Sequence, residues 1–218
     1  MKTYAVAFSG GKDSTLALDR AIRMDLNVKY LINIFNCETD RVRFHGFKKE
    51  IIQAQADALK LELIQSGSTN ENFEQIFLEG LKALKTKKVD GIIFGDIHLD
   101  NVKSWFEERT MKYGFDHIEP LWKNPQKTLI TEMVDRGYKA TITNLDLENT
   151  NPKWLGQTIN HDLIKSFEVS GIDLCGENGE YHTFVSKGPL FKNPVNFQLG
   201  NITQTKTHRT IDVLLDNF

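Results

Sequence analysis

Tyr4-Ala5-Val6-Ala7-Phe8-Ser9-Gly10-Gly11-Lys12-Asp13-Ser14 is the stretch on which the fold of this chain turns. Tyr4 to Phe8 is a short apolar run and reads as a buried strand. From Ser14 to Met24, the residues Leu16, Ala17, Ala21, Ile22 and Met24 recur near one face of a helix. A glycine turn between strand and helix leaves backbone N–H groups free at the positive end of the helix dipole. That is an anion cradle, and the commonest anion for it is phosphate. The spacing excludes two familiar cradles. Walker A requires Gly, four residues, then Gly-Lys-Ser/Thr, whereas Lys12 here follows Gly10-Gly11 directly and precedes Asp13. The three-glycine dinucleotide fingerprint is absent as well. The plain structural alternative is a Gly-Gly turn with Asp13 or Ser14 capping the helix.

Outward from this stretch the chain alternates strand and helix. Strands are expected at Lys29–Phe35, Leu61–Gln65, Gly91–Gly95 and Asp116–Pro120, and helices at Phe47–Lys60, Phe73–Leu84 and Val102–Tyr113. This rhythm predicts an α/β fold, a doubly wound parallel sheet with helices on both faces. Ligands of such sheets sit at the carboxyl ends of the strands, where the strand order switches. Past Pro125 the rhythm changes to a helix at Lys127–Arg136, a strand at Tyr138–Leu145, a helix at Thr158–Phe167 and antiparallel strands across Val195–Leu215. Two regions are therefore expected: a nucleotide domain over 1–125 and a smaller C-terminal α+β substrate region over 126–218.

Composition narrows the classes. With 218 residues, 40% apolar and 26% charged, the chain has the makeup of an ordinary globular protein. A formal net charge of −2 argues against a general nucleic-acid or membrane binder. No apolar run is long enough for a membrane span. Met1-Lys2 leads straight into a strand, so no signal peptide is expected. Cys37 and Cys175 are far apart and form no CxxC pair, which leaves a zinc site unsupported and makes the reducing cytoplasm the expected compartment.

Two further constellations carry chemistry. Gly95-Asp96-Ile97 follows the Gly91–Gly95 strand. A carboxylate at that strand end, across a crevice from a phosphate cradle, suits Mg²⁺ or a ribose hydroxyl, and equally suits a cap on the next helix. The run Gly176-Glu177-Asn178-Gly179-Glu180-Tyr181-His182-Thr183-Phe184-Val185 holds two carboxylates three residues apart, with glycines that let backbone approach a ligand. Its bland reading is a hairpin turning at Asn178-Gly179, with Tyr181, Thr183 and Val185 on one strand face. Arg109, on the helix after Gly95-Asp96, leans toward a role in the site. The three tryptophans, His98, His117 and the two cysteines read as packing residues. His45 and His182 are open between structural and catalytic roles.

The Ser9-to-Ser14 run resembles the SGGxDS loop (the PP-loop) of the N-type ATP pyrophosphatases. Matching motifs then follow in order: His45, with Gln55-Ala56 on the next helix; Phe94-Gly95-Asp96-Ile97; Glu108-Arg109 ahead of Gly114 and Pro120-Leu121-Trp122; Leu155-Gly156; and Cys175-Gly176-Glu177-Asn178-Gly179-Glu180-Tyr181 running to Gly188-Pro189-Leu190-Phe191. Across roughly residues 4–191 the chain is similar to the diphthine–ammonia ligase family. The resemblance implies a HUP-type fold of the adenine nucleotide alpha hydrolase kind. It also implies a reaction in which ATP adenylates a carboxylate, pyrophosphate leaves and ammonia forms the amide. The implied partners are ATP, Mg²⁺, ammonium and a carboxylate-bearing substrate; a homodimer is left open as the assembly, and neither a membrane nor a nucleic acid is expected as a partner. Ser9, Gly10, Gly11 and Ser14 would hold pyrophosphate, Lys12 would neutralise it, and Asp13 and Asp96 would hold Mg²⁺. Gly95 and His45 would border the nucleotide, and Glu177 and Glu180 would position substrate, ammonium or a second ion.

The sequence departs from diphthamide-making members at three places. They tend to read GEYET where this chain has His182 after Tyr181, Asp-Gly-Pro where it has Lys187-Gly188-Pro189, and His-Thr-Pro-Asn where it has His45-Gly46. These variants resemble a short prokaryotic branch of the family, in which the added C-terminal domains of the longest members are not expected. Competing readings are a tRNA-modifying enzyme with the same loop and a non-catalytic adenine-nucleotide binder. The first would want a reactive cysteine pair or a basic face, and the second a later Gly-rich phosphate motif.

Overall fold

A computed structural model describes residues 1–216 of the chain; residues 217 and 218 of the expected C-terminal region lie outside the described residues. The opening stretch folds as β1 (Thr3–Ala7), a loop over residues 8–11 and α1 (Lys12–Arg23). There follow β2 (Asn27–Asn36), a two-residue β3 (Arg41–Val42), α2 (Glu50–Leu59), β4 (Glu62–Ser68), α3 (Phe73–Thr86), β5 (Gly91–Ile93), α4 (Asp100–Lys112) and β6 (Asp116–Ile118). The parallel strands lie in the order β4-β2-β1-β5-β6. Numbered by appearance this is 3-2-1-4-5, the doubly wound order, with its switch point between β1 and β5. The loops after these two strands, holding Ser9–Gly11 and Gly95-Asp96, therefore flank one crevice.

Strand pleating explains why the sheet is covered on both faces. Val6 and Phe8 pack with Leu16, Ala17, Ile51 and Ile52 from α1 and α2. Ala5 and Ala7, which alternate with them, face the opposite side with Phe77, Leu81 and Leu84 of α3 and the α4 aromatics. The antiparallel β3 was not legible in the sequence. It pairs with Phe35 and Asn36, past the end of β1, and so hangs the 43–47 loop over the phosphate cradle.

The remainder comprises α5 (Gln126–Asp135), β7 (Lys139–Asp146), a short 3₁₀ turn (Pro152–Trp154), α6 (His161–Ser170), β8 (Tyr181–Lys187), β9 (Phe197–Gln204) and β10 (His208–Leu215). Its strands form an antiparallel sheet in the order β8-β7-β10-β9. The helix expected from Thr158 starts later because Asn160 caps it, accepting the Leu163 N–H at 2.9 Å. The hairpin at Asn178-Gly179, the bland alternative for this run, is not formed. Residues 171–180 are loop, the turn is closed by Gly179 N–H to the Gly176 carbonyl, and β8 pairs with β7 instead.

The two sheets meet at the cradle. One apolar cluster runs from Val6 and Leu16 through Ile142 to Phe184. The N–H of Val185 donates to the Gly10 carbonyl at 3.0 Å, and the Lys12 N–H to the Thr183 hydroxyl at 3.0 Å. Asp19 on α1 is fully buried and accepts from Arg23 at 2.9 Å, Arg136 at 2.8 Å and the Tyr138 hydroxyl at 2.9 Å. A carboxylate removed from water needs such partners, and here they come from both regions.

Candidate active site

The crevice at the switch point is a cleft of about 330 Å³. Ser9, Asp13 and Ser14 form one wall, Gly95 and Asp96 the second, and Arg43, Phe44, His45, Glu177 and His182 the rim. Phe73, Phe77, Phe94 and Phe106 close its apolar end. Of the residues expected from sequence, the structure brings Ser9, Asp13, Ser14, His45, Gly95, Asp96 and Glu177 to this cleft.

No side chain of the N-cap or first turn of α1 caps that helix; the Lys12 N–H is met from β8 by the Thr183 hydroxyl, and the Gly11 and Ser9 N–H groups by the Ser9 and Ser14 hydroxyls at 3.4 and 3.3 Å. Gly11 occupies the N-cap of α1, and neither Asp13 nor Ser14 caps the helix. The Ser9 and Ser14 hydroxyls lie 3.2 Å apart, and Ser14 donates to the Gly11 carbonyl at 3.2 Å. Gly10 and Gly11 shape the loop from behind. Gly10 has φ +79°, and a Cβ there would lie 2.3 Å from Gln55 Oε1. Gln55 in turn is fixed by the Gly10 carbonyl at 2.9 Å and the Val185 carbonyl at 2.7 Å. The second wall is held close by the absence of a side chain: a Cβ on Gly95 would stand 2.9 Å from Ser14 N.

Lys12 is placed differently from the expectation that it faces pyrophosphate. It is 4% exposed and is not among the cleft-lining residues. Its ammonium pairs with Asp13 at 2.8 Å, donates to the Cys175 carbonyl and lies 4.9 Å from the centre of the Tyr181 ring. Burial alone would push the ammonium down. Asp13, Tyr181 and Cys175 together outweigh that, and the net direction is up, so the group stays charged. Lys12 thereby ties the start of α1 to the 175–181 loop. The helix periodicity does not foresee this, because that loop is remote in sequence.

The two glutamates of that loop also separate. Glu180 is buried and does not line the cleft; its carboxylate accepts from Asp173 N, Asn178 N and Asn178 Nδ2, each at 3.1 Å. It braces the loop. Glu177 projects into the cleft and accepts from Ile97 N at 3.4 Å. Burial, then Asp13 and Asp96, pushes the Glu177 carboxyl up to about 8. Burial, then Glu119, pushes Asp96 up to about 6, and burial raises Asp13 against the opposing pull of Lys12. Beside the Lys12–Asp13 pair, the cleft thus gathers two carboxyl groups, Asp96 and Glu177, that are costly to ionise until a positive charge joins them.

Asp96 does not cap α4, whose N-cap is Leu99. Its Oδ2 is buried without a hydrogen-bond partner. Among the described residues no group of three or more His, Cys, Asp or Glu side chains is arranged to hold a metal ion by itself. This donor set suits Mg²⁺, which is commonly held by one or two carboxylates together with substrate phosphates.

His45 Nδ1 lies 2.7 Å from the Thr183 carbonyl, so that nitrogen carries the hydrogen. Burial pushes the ring down to about 4. The His182 ring, 5.1 Å from it, is lowered by burial and then by His45. Both imidazoles are neutral. Arg109, expected to lean toward the site, stacks on Trp105 at 3.9 Å and pairs with Glu74 at 2.8 Å, away from the cleft. Trp154 packs on Phe167, and burial pushes the Cys175 thiol up, in keeping with packing roles. Sequence reasoning missed Arg43 and Phe44 because β3 was not legible. It also missed the cleft role of Phe73, Phe77 and Phe106, whose helical spacing reads as ordinary core.

Comparison with known proteins identifies the family. The diphthamide synthase N-terminal domain matches residues 1–117, and the diphthamide synthase C-terminal domain matches residues 124–213. The human diphthine–ammonia ligase is 27% identical over 217 residues, covering 88% of this chain and 81% of its own length. The zebrafish (Danio rerio) diphthine–ammonia ligase is 26% identical over 224 residues, covering 92% and 87%. With both domains matched and the cleft between their elements in place, the chain belongs to the diphthamide synthase family of ligase-type enzymes.

Proposed function

We propose that the chain is an AMP- and pyrophosphate-forming ligase that adenylates a carboxylate and transfers the acyl group to ammonia. The observation that carries this reading is the glycine- and serine-built Ser9–Ser14 loop at the N-terminus of α1, facing Asp96 and Glu177 across one cleft. In the first step a carboxylate oxygen of the acceptor attacks the α-phosphorus of ATP, and the bond to the β-phosphate oxygen breaks. The loop N–H groups and the Ser9 and Ser14 hydroxyls receive the departing pyrophosphate. Asp13 and Asp96 would hold Mg²⁺, which supplies charge neutralisation on the phosphates when bound. In the second step ammonia attacks the acyl carbon, AMP leaves, and the nitrogen loses a proton. Glu177 is the group for that proton, since a carboxyl poised near 8 exchanges protons at the operating pH. Lys12 and Glu180 act indirectly, holding the loop that presents Glu177.

The acceptor is a carboxylic acid, with the diphthine of the relatives' names as the first candidate. His182 and His45-Gly46, at the rim, are where this chain departs from the diphthamide pattern and so where acceptor choice is set. The reading places the enzyme in the cytoplasm, and no helix among the described residues is long and apolar enough to cross a membrane. The test replaces ammonium with hydroxylamine and supplies MgATP with candidate acids. An acyl-adenylate is trapped as a hydroxamate, and an acid that supports ATP turnover without hydroxamate contradicts the reading.

A further inference from the structure

The outer edge of the C-terminal sheet points to an assembly. β9 ends the order β8-β7-β10-β9, and among the described residues no strand pairs with its other side. Edge strands are usually blunted by lysine, proline or shortness. The eight residues Phe197–Gln204 contain no charged residue and no proline.

β9 carries one irregularity. Leu199 is opposite Val213 and Ile202 is opposite Ile211, so β9 has one residue more than β10 between these pairs. This bulge brings Leu199 and Ile202, three apart in sequence, to the same face. It is the face on which Val213 and Ile211 are buried, yet Leu199 is 42% and Ile202 49% exposed. The apolar layer of the sheet runs on to an uncovered edge.

We propose that this edge is a homodimer interface, in which two copies pair their β9 strands antiparallel about a two-fold axis. An axis between Gly200 and Asn201 sets Leu199 of each copy opposite Ile202 of the other. Both cross-strand pairs are then apolar and lie on one face. The pattern is its own complement, as a two-fold interface requires. The bulge also favours an identical copy. An unbulged strand would lose register at Gly200-Asn201, whereas a second β9 brings the same extra residue to the same place. An uncharged strand meets its own copy without like-charge repulsion.

Sedimentation velocity on the full chain from about 1 to about 100 µM tests this. The expected result is a monomer–dimer equilibrium within that range. Leu199→Lys and Ile202→Lys each raise the dimer dissociation constant at least about tenfold, since each change enters a two-fold interface twice. Val169→Lys, at a 90% exposed position on α6, leaves the equilibrium unchanged. Amide hydrogen exchange on the unaltered chain gives a second readout: protection of residues 197–204 rises with protein concentration. A wild-type monomer throughout the range, lysine variants that dimerise like wild type, or exchange in β9 that ignores concentration overturns the proposal.

Discussion

Replacing Lys12 by methionine tests the packing logic of the site most sharply. The change keeps the length of the side chain and removes the charge. It deletes the 2.8 Å ion pair to Asp13, the donor to the Cys175 carbonyl and the cation over the Tyr181 ring. Removing one partner of a buried ion pair costs about 3–5 kcal/mol. For a domain of this size each kcal/mol lowers the melting temperature by about 2–4 °C, so the expected loss is roughly 6–20 °C. Much of the penalty is the stranded Asp13 carboxylate. Lys12→Met/Asp13→Asn should therefore be more stable than the sum of its single changes by at least about 1 kcal/mol. The pH dependence follows from the same group. With Lys12 gone, burial holds the Asp13 pKa above its unfolded value, so the protonated form favours the fold. That stabilisation is present at low pH and lost as pH rises, so the deficit of Lys12→Met is larger at pH 8 than at pH 5. The assay is urea denaturation followed by tryptophan fluorescence at both pH values. A loss below about 1 kcal/mol, or a double variant that is simply additive, would refute the claim that Lys12 is a buried clamp.

Other consequences separate the remaining residues. Glu180→Ala strands the Asp173 and Asn178 donors and should cost about 2–4 kcal/mol in denaturation, whereas Glu177→Gln should leave the fold intact and slow amide formation at least about tenfold. Binding of MgATP should release protons near pH 6, because a cation favours the ionised form of an Asp96 held near that value; calorimetry in buffers of different ionisation enthalpy measures it. Gly95→Ala forces the second wall off Ser14 and should weaken ATP binding at least about tenfold by calorimetry. Arg109→Ala should leave ATP affinity unchanged and cost at most a modest amount of stability, since its partners are Glu74 and Trp105.

The parts of the fold legible in sequence are those set by local chemistry. Tyr4–Phe8, the Gly10-Gly11 turn and the apolar spacing of α1 suffice for the strand–loop–helix unit, and the strand–helix rhythm for the parallel sheet. The site was legible where a residue sits at a strand end, as Asp96 does. It was not legible where position depends on contacts remote in sequence. Lys12 turns inward because Cys175 and Tyr181 lie beneath it, and Glu180 turns inward because its own loop supplies three N–H donors. The Gly176–Tyr181 run reads as a hairpin by its Asn-Gly pair. It forms a loop because β8 finds β7 and the cradle as neighbours. Arg43 and Phe44 reach the cleft only through β3, whose two residues leave no pattern to read.

The central claim is that ATP is cleaved between its α and β phosphates in the Ser9–Ser14 cleft. The direct measurement is a single turnover with α-labelled ATP, Mg²⁺, ammonium and a competent acid, resolved by chromatography. The account predicts labelled AMP from the wild-type chain and at least about a hundredfold less from Asp96→Asn. Labelled ADP, or AMP formed at the wild-type rate by Asp96→Asn, would contradict it.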